Sequence, residues 1–151
     1  MMFSADMIDL IKIFEKRYVQ YALVGGFAVN FYGYMRSTQD IDLLLYPSKE
    51  NAAKIMGALN EFGFGNAGIP QSFFEKEGSA IHLGVEPNRI DLLTHLIGIS
   101  NDTLFSEISR VEIECVTTNI ISLKNLIKVK KSSDRLKDAA DAEELEKIHR
   151  K

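Results

Sequence analysis

The sequence predicts a mixed α/β chain, α+β in the order of its elements, with a mixed β-sheet, helices packed on it and a helical tail. Three observations carry this. Helical and strand-like apolar periods alternate up to residue 62, hairpin-like strands follow from residue 80, and two helical stretches close the chain. With 151 residues, 46% apolar and 26% charged, the composition is that of a globular protein and the length that of one domain, spanning 1–151.

The elements follow in order. Ser4 is an N-cap for a helix over 4–17, with Met7, Leu10, Ile11, Phe14 and Tyr18 repeating at helical spacing. Residues 21–24 form an apolar run of strand length, stopped by Gly25 and Gly26, and Phe27 to Tyr34 reads as a short helix. Gln39 to Tyr46 is a strongly apolar strand ended by Pro47. Ser48 caps a helix with Ala52, Ile55, Met56, Leu59 and Phe62 on one stripe. Glycines crowd between Gly63 and Gly78, which predicts a mobile loop with a strand at Ser72–Glu75. Ala80–Val85 and Arg89–Leu93 are a strand pair joined by a turn at Glu86, Pro87 and Asn88. Val111, Ile113 and Cys115 alternate with Glu112 and Glu114, as in a half-buried strand that buries the cysteine. Helices over 122–131 and 134–149 finish the chain, with Ser122 and Asp134 as N-caps.

Several classes are excluded at this level. No apolar run reaches the length of a transmembrane helix, and the first residues lack the basic and apolar regions of a secretory signal. A lone Cys115 leaves no intramolecular disulfide, which points to a reducing, cytoplasmic location. Three histidines and one cysteine do not make a closed zinc site. A net charge of -3 excludes a generic basic binder of polyanions.

Asp40 and Asp42 carry the chemistry. Residues i and i+2 of a strand share a face, so both carboxylates point one way while Ile41, Leu43 and Leu45 enter a core. Two carboxylates about 5 Å apart repel by roughly 3 kcal/mol at an effective dielectric of 20. A hard divalent cation, Mg²⁺ or Mn²⁺, is the simplest compensation. Gly25 and Gly26 stand between strand and helix, where a side-chain-free turn lets a phosphate approach backbone N–H groups. Arg36 and Thr38 lie on the segment entering the Asp strand, and an arginine there suits bidentate contact with phosphate.

Strand, Gly25-Gly26, helix, then Asp40-Ile41-Asp42-Leu43 resembles the signature of the DNA polymerase beta-like nucleotidyltransferase superfamily. Residues 23–43 are most similar to small prokaryotic members, including nucleotidyltransferase toxins of abortive-infection systems. The resemblance implies a Gly turn that holds the β- and γ-phosphates of an NTP, and an Asp pair that holds metal ions with a third carboxylate. Asp91, in the apolar stretch Arg89 to Leu93, is the match for the third carboxylate and, by the same resemblance, the general base facing the attacking oxygen. The tail from Leu126 to Asp141 is similar to that of the same relatives, and on that likeness Lys130 and Arg135 are assigned to phosphate contact.

The chain departs from the pattern in two ways. Many members carry Gly-Ser in place of Gly25-Gly26, which removes one hydroxyl contact to phosphate. The Gly-Gly form occurs in tRNA-end-adding and poly(A)-synthesising branches, but Phe27 to Asn30 stand where those carry Val-Arg-Asp, so a CCA-adding enzyme is rejected. His82, His95 and His149 have no ligand spacing and read as solvated or satisfied, while Phe31, Tyr32 and Tyr34 read as helix packing.

The function so implied is metal-dependent transfer of an NMP from an NTP to a hydroxyl of a tRNA or other RNA 3′ end, a protein or a small molecule such as an antibiotic. A toxin with a cognate antitoxin is one setting for it. The alternative is a non-catalytic nucleotide-binding module, itself one partner of a toxin–antitoxin pair. Without bound cations, three converging carboxylates are expected to raise one another's pKa values.

Overall fold

The computed structural model describes residues 3–150, so Met1, Met2 and Lys151 of the 1–151 domain expectation lie outside the described residues. Ser4 caps α1 (Ala5–Lys16) by accepting a hydrogen bond from the backbone N–H of Met7, and Met7, Leu10, Ile11 and Phe14 are buried. The helix stops short of Tyr18, which takes a left-handed φ of 57° and is 80% exposed instead of completing the apolar stripe. The chain then enters β1 (Tyr21–Val24), all four residues buried, and passes straight into α2 (Gly25–Phe31). The second helix therefore begins at the glycine pair itself, two residues earlier than its aromatic stretch indicates. β2 (Ile41–Leu45) is shorter than the expected strand over Gln39–Tyr46 and leaves Asp40 just outside it, whereas α3 (Lys49–Phe62) follows as expected, capped by Ser48 and ended by Gly63 in a left-handed conformation.

The strand expected at Ser72–Glu75 is a single 3-10 turn over Gln71–Phe74, because Phe74 turns inward to complete the packing beneath α3. β3 (Ala80–Leu83) and β4 (Ile90–Leu93) form the expected hairpin. After a short α4 (Asn101–Ser106), β5 (Ser109–Ile113) and β6 (Val116–Ile120) form a second hairpin, and α5 (Leu123–Lys131) and α6 (Leu136–Ile148) pack on each other. Two expectations fail here. Glu114 and Cys115 form the tight turn of that hairpin with φ of 51° and 67°, and the cysteine is exposed, not buried. α6 starts two residues later than expected, and Arg135, not Asp134, is its N-cap residue, without a capping side chain.

The six strands pair in the order β3-β4-β2-β1-β6-β5. β1 runs antiparallel to β2 and parallel to β6, while β2 runs parallel to β4. The mixed sheet and its helices thus agree with the predicted class. α1 packs on β6 and α3, and α2 packs on β1 and β2, so the central strands are covered. Ile41, Leu43 and Leu45 are fully buried, which leaves Asp42 as the polar residue of β2. No helix among the described residues is long and apolar enough to cross a membrane.

Candidate active site

Strand register brings the two central carboxylates together. β2 and β4 align Asp42 directly beside Asp91, fixed by the apolar pairs Ile41–Ile90 and Leu43–Leu92 on either side. The end of β1 lies against the start of β2, with Val24 opposite Asp42, so the chain turns at Gly25 next to that carboxylate. Gly25 has a φ of +70°, and a Cβ placed there would stand 2.1 Å from Asp42 Oδ2. A Cβ on Gly26 would stand 2.5 Å from Thr38 Oγ1. Both glycines are required by these close approaches, and the turn cannot carry side chains without moving Asp42 and Thr38.

Electrostatics separates the two carboxylates. Burial, then the negative charge of Asp91, pushes the Asp42 carboxyl up to about 7. Burial acts on Asp91 in the same direction, but hydrogen bonds from Arg89 and His82 outweigh it and hold Asp91 below the usual carboxylate range. Arg89 donates from Nε and Nη2 to the two oxygens of Asp91 at 2.8 and 3.1 Å, and His82 Nδ1 lies 2.6 Å from Asp91 Oδ1. The expected mutual raising of three carboxyl groups is therefore corrected: Asp42 is raised and Asp91 is lowered, because a guanidinium stands beside one of them. Asp40, just before β2, accepts the backbone N–H of Arg89 at 3.1 Å.

The basic residues arrive already paired. Arg36 grips Asp141 of α6 with Nε and Nη2 at 2.8 and 2.9 Å, and Asp141 is 1% exposed. Lys130 of α5 lies 3.0 Å from Asp138 and 3.2 Å from Asp141. Arg135 is the open cation of the group: its side chain is 70% exposed and reaches Asp138 only at 3.9 Å. Arg36, Lys130, Arg135 and Asp138 line a polar cleft of about 390 Å³ that also contains Gly25, Gly26, Thr38, Asp40, Asp42, Arg89, Asp91 and Lys137, with Asp141 buried behind it. All nine residues singled out from the sequence border this one cleft. A second cleft, about 570 Å³ and mostly apolar, adjoins it at Gly25, Asp42, Lys130, Arg135 and Asp138, and is walled by Leu93, Leu96, Ile97, Leu126 and Val129.

Sequence reasoning missed Arg89, His82, Lys137 and the acceptor roles of Asp138 and Asp141. Arg89 was findable, since it precedes Asp91 by two residues and so shares its strand face. His82 follows from the β3–β4 register, which pairs it with Asp91.

Among the described residues no three His, Cys, Asp or Glu side chains are gathered into a metal-binding cluster. The Asp42–Asp91 pair nevertheless fits a hard divalent cation: two carboxylates sit in one register, and Asp42 has its pKa raised by burial and then by the charge of Asp91.

The architecture is a nucleotidyltransferase-like fold. No protein-family model matches the chain, and no curated protein matches it. Solved structures do. The lincosamide antibiotic adenylyltransferase LnuA in its lincomycin-bound form aligns over 97% of this chain and 98% of its own, with a TM-score of 0.54 and 15% identity. The antibiotic-resistance factor ANT(2'')-Ia aligns over 94% of this chain and 81% of its own, with a TM-score of 0.56 and 10% identity. An antigenic nucleotidyltransferase-like protein from Paracoccidioides brasiliensis aligns over 97% and 77%, with a TM-score of 0.53 and 16% identity.

Proposed function

We propose that this chain is a divalent-metal-dependent nucleotidyltransferase that moves an NMP from an NTP to an acceptor hydroxyl: the hydroxyl oxygen bonds to the α-phosphorus, the bond from there to the β-phosphate bridge breaks, and pyrophosphate leaves. The observation that carries the reading is the register of Asp42 beside Asp91 at the mouth of the Gly25–Gly26 turn, on a nucleotidyltransferase fold. Asp42 and Asp91 hold Mg²⁺ or Mn²⁺, with Asp40 as the third ligand once its contact with Arg89 opens. The bound cation supplies charge stabilisation at the reacting phosphate and lowers the pKa of the attacking hydroxyl. Gly25 and Gly26 keep the turn bare for the phosphates, and Thr38 borders it. Arg36 and Lys130, held in place by Asp141, form the basic wall, and Arg135 is free to turn onto an anionic ligand. Asp91, which borders the cleft, accepts the proton of the acceptor hydroxyl once the Arg89 hydrogen bonds to its oxygens open.

The adjoining apolar cleft supports a small-molecule acceptor, in line with the fold likeness to antibiotic-modifying enzymes. An RNA 3′ end or a protein hydroxyl, in a cytoplasmic toxin countered by an antitoxin, is the other acceptor class. The test is incubation with each α-phosphate-labelled NTP and Mg²⁺ in the presence of tRNA, cell lysate or an antibiotic panel. Label is expected to move to one acceptor class, and Asp42→Asn is expected to abolish the transfer. Tight NTP binding with no transfer to any class supports the non-catalytic module instead.

A further inference from the structure

Arg89 stands where the cleft's carboxylates meet. Its guanidinium engages both oxygens of Asp91 at 2.8 and 3.1 Å, lies 3.5 Å from Asp40 Oδ2, and has Glu86 at 3.4 Å on its outer side. Its own backbone N–H holds Asp40 Oδ1 at 3.1 Å. One residue thus fixes the two carboxylates that share the cleft with Asp42, while Asp42 itself has no ion-pair partner within 4 Å among the described residues.

An arginine keeps its charge at any pH the protein meets. The Coulomb attraction that lets it hold Asp40 and Asp91 makes it repel a divalent cation entering between them. Both cannot occupy the carboxylates fully. The Arg89 side chain is 28% exposed, so it has an open side towards which to move.

We propose that Arg89 is a tethered counter-ion: it satisfies Asp40 and Asp91 in the cation-free protein and is displaced from them when Mg²⁺ or Mn²⁺ binds. The inference rests on the reading that Asp42 and Asp91 hold a divalent cation, and deepens it by naming what the cation must replace. The protein is then stable without metal and binds metal weakly on its own. The released guanidinium is left facing the cleft, where a phosphate supplies oxygens in the same bidentate geometry.

The experiment measures Mn²⁺ binding to the full chain, by the loss of the free-ion paramagnetic signal, for wild type, Arg89→Gln, Arg89→Lys and Asp42→Asn. Melting of each is followed in chelator and in saturating Mn²⁺. Arg89→Gln is expected to bind Mn²⁺ roughly tenfold more tightly than wild type, since the competing charge is gone. It should melt lower than wild type in chelator and recover that deficit in Mn²⁺, whereas an arginine with a purely structural role would leave the deficit unchanged. Arg89→Lys keeps the charge but loses the bidentate fork, and is expected to bind about threefold more tightly than wild type, which keeps the test decisive if Arg89→Gln fails to fold. Equal Mn²⁺ affinity in wild type and the folded Arg89 variants, or a deficit that Mn²⁺ does not narrow, overturns the counter-ion role. If Asp42→Asn abolishes binding in that case, the cation site itself stands. Absence of Mn²⁺ binding in every variant overturns the counter-ion role and the metal-dependent reading together.

Discussion

Asp42 and Asp91 are neighbours of the same chemical type with opposite electrostatic environments. Asp42 is burdened by burial and by its neighbour, whereas Asp91 is relieved by Arg89 and His82. The two isosteric substitutions should therefore move stability in opposite directions. In chelator at pH 8, Asp42→Asn is expected to stabilise the protein, on the order of 2 kcal/mol. Asp91→Asn, which strips Arg89 of its bidentate partner, is expected to lower the melting temperature under the same conditions. Denaturant melts of both variants would show it; stabilisation by Asp91→Asn would mean that Arg89 does not neutralise it. Gly25 offers an independent check on geometry. Gly25→Ala meets both a left-handed φ and the Asp42 carboxylate, so a loss of about 1–3 kcal/mol is expected. With Asp42 displaced, the melting shift produced by Mg²⁺ and ATP should disappear as well.

At the scale of elements, the site is assembled from β1, β2 and β4 on one side and from α5 and α6 on the other. Asp141 is the tie: from α6 it holds Arg36, which leads into β2, and Lys130 of α5. Asp141→Asn leaves two largely buried cations short of counter-charge, so a loss of about 2–4 kcal/mol is expected, with weaker binding of tripolyphosphate as the basic wall loosens. Chemical denaturation and calorimetry would measure the two effects, and an unchanged midpoint would show the tie to be dispensable. The elements that sequence made legible are those with local causes: the serine caps at Ser4, Ser48 and Ser122, the unbroken apolar strand over 21–24, and the strand over 41–45 whose apolar run is interrupted only by Asp42. β6 was hidden because its hairpin turn uses Glu114 and Cys115 at positive φ, with no glycine or asparagine to mark it. α4 is too short for a helical period to register. The site divides the same way. Asp40, Asp42 and the glycines are close in sequence and could be read together. His82 and Asp141 enter only through strand register and helix packing, which no local pattern encodes.

For the whole molecule, these local shifts combine into a pH profile. Asp42 has a folded pKa raised to about 7, so it binds a proton more readily in the folded state than in the unfolded one. Its contribution to stability is fully present below its unfolded pKa, about 4, and is lost as pH rises through 7. Asp91 and Asp138 are both lowered in the folded state, the latter against its burial by hydrogen bonds from Ser133 and Lys130. Their contributions are present above the unfolded carboxylate pKa and vanish as pH falls through their folded values. Opposite signs on the two sides give cation-free protein a stability maximum in acidic solution, near the unfolded carboxylate pKa of about 4, where the two regimes meet. Asp42→Asn should remove the decline on the alkaline side and leave the acid limb as it is. Bound Mg²⁺ with NTP should also flatten the alkaline side, since a cation holds Asp42 in its charged form and turns its burden into a favourable contact. Denaturant midpoints of wild type and Asp42→Asn in chelator, taken from about pH 2.5 to pH 9, and of wild type with Mg²⁺ and ATP over the alkaline side, test all three parts. A wild-type profile that keeps rising from pH 5 to pH 8 in chelator would place Asp42 in water rather than in a buried pair with Asp91. Its carboxylate would then lack the crowding that makes a cation site of the cleft.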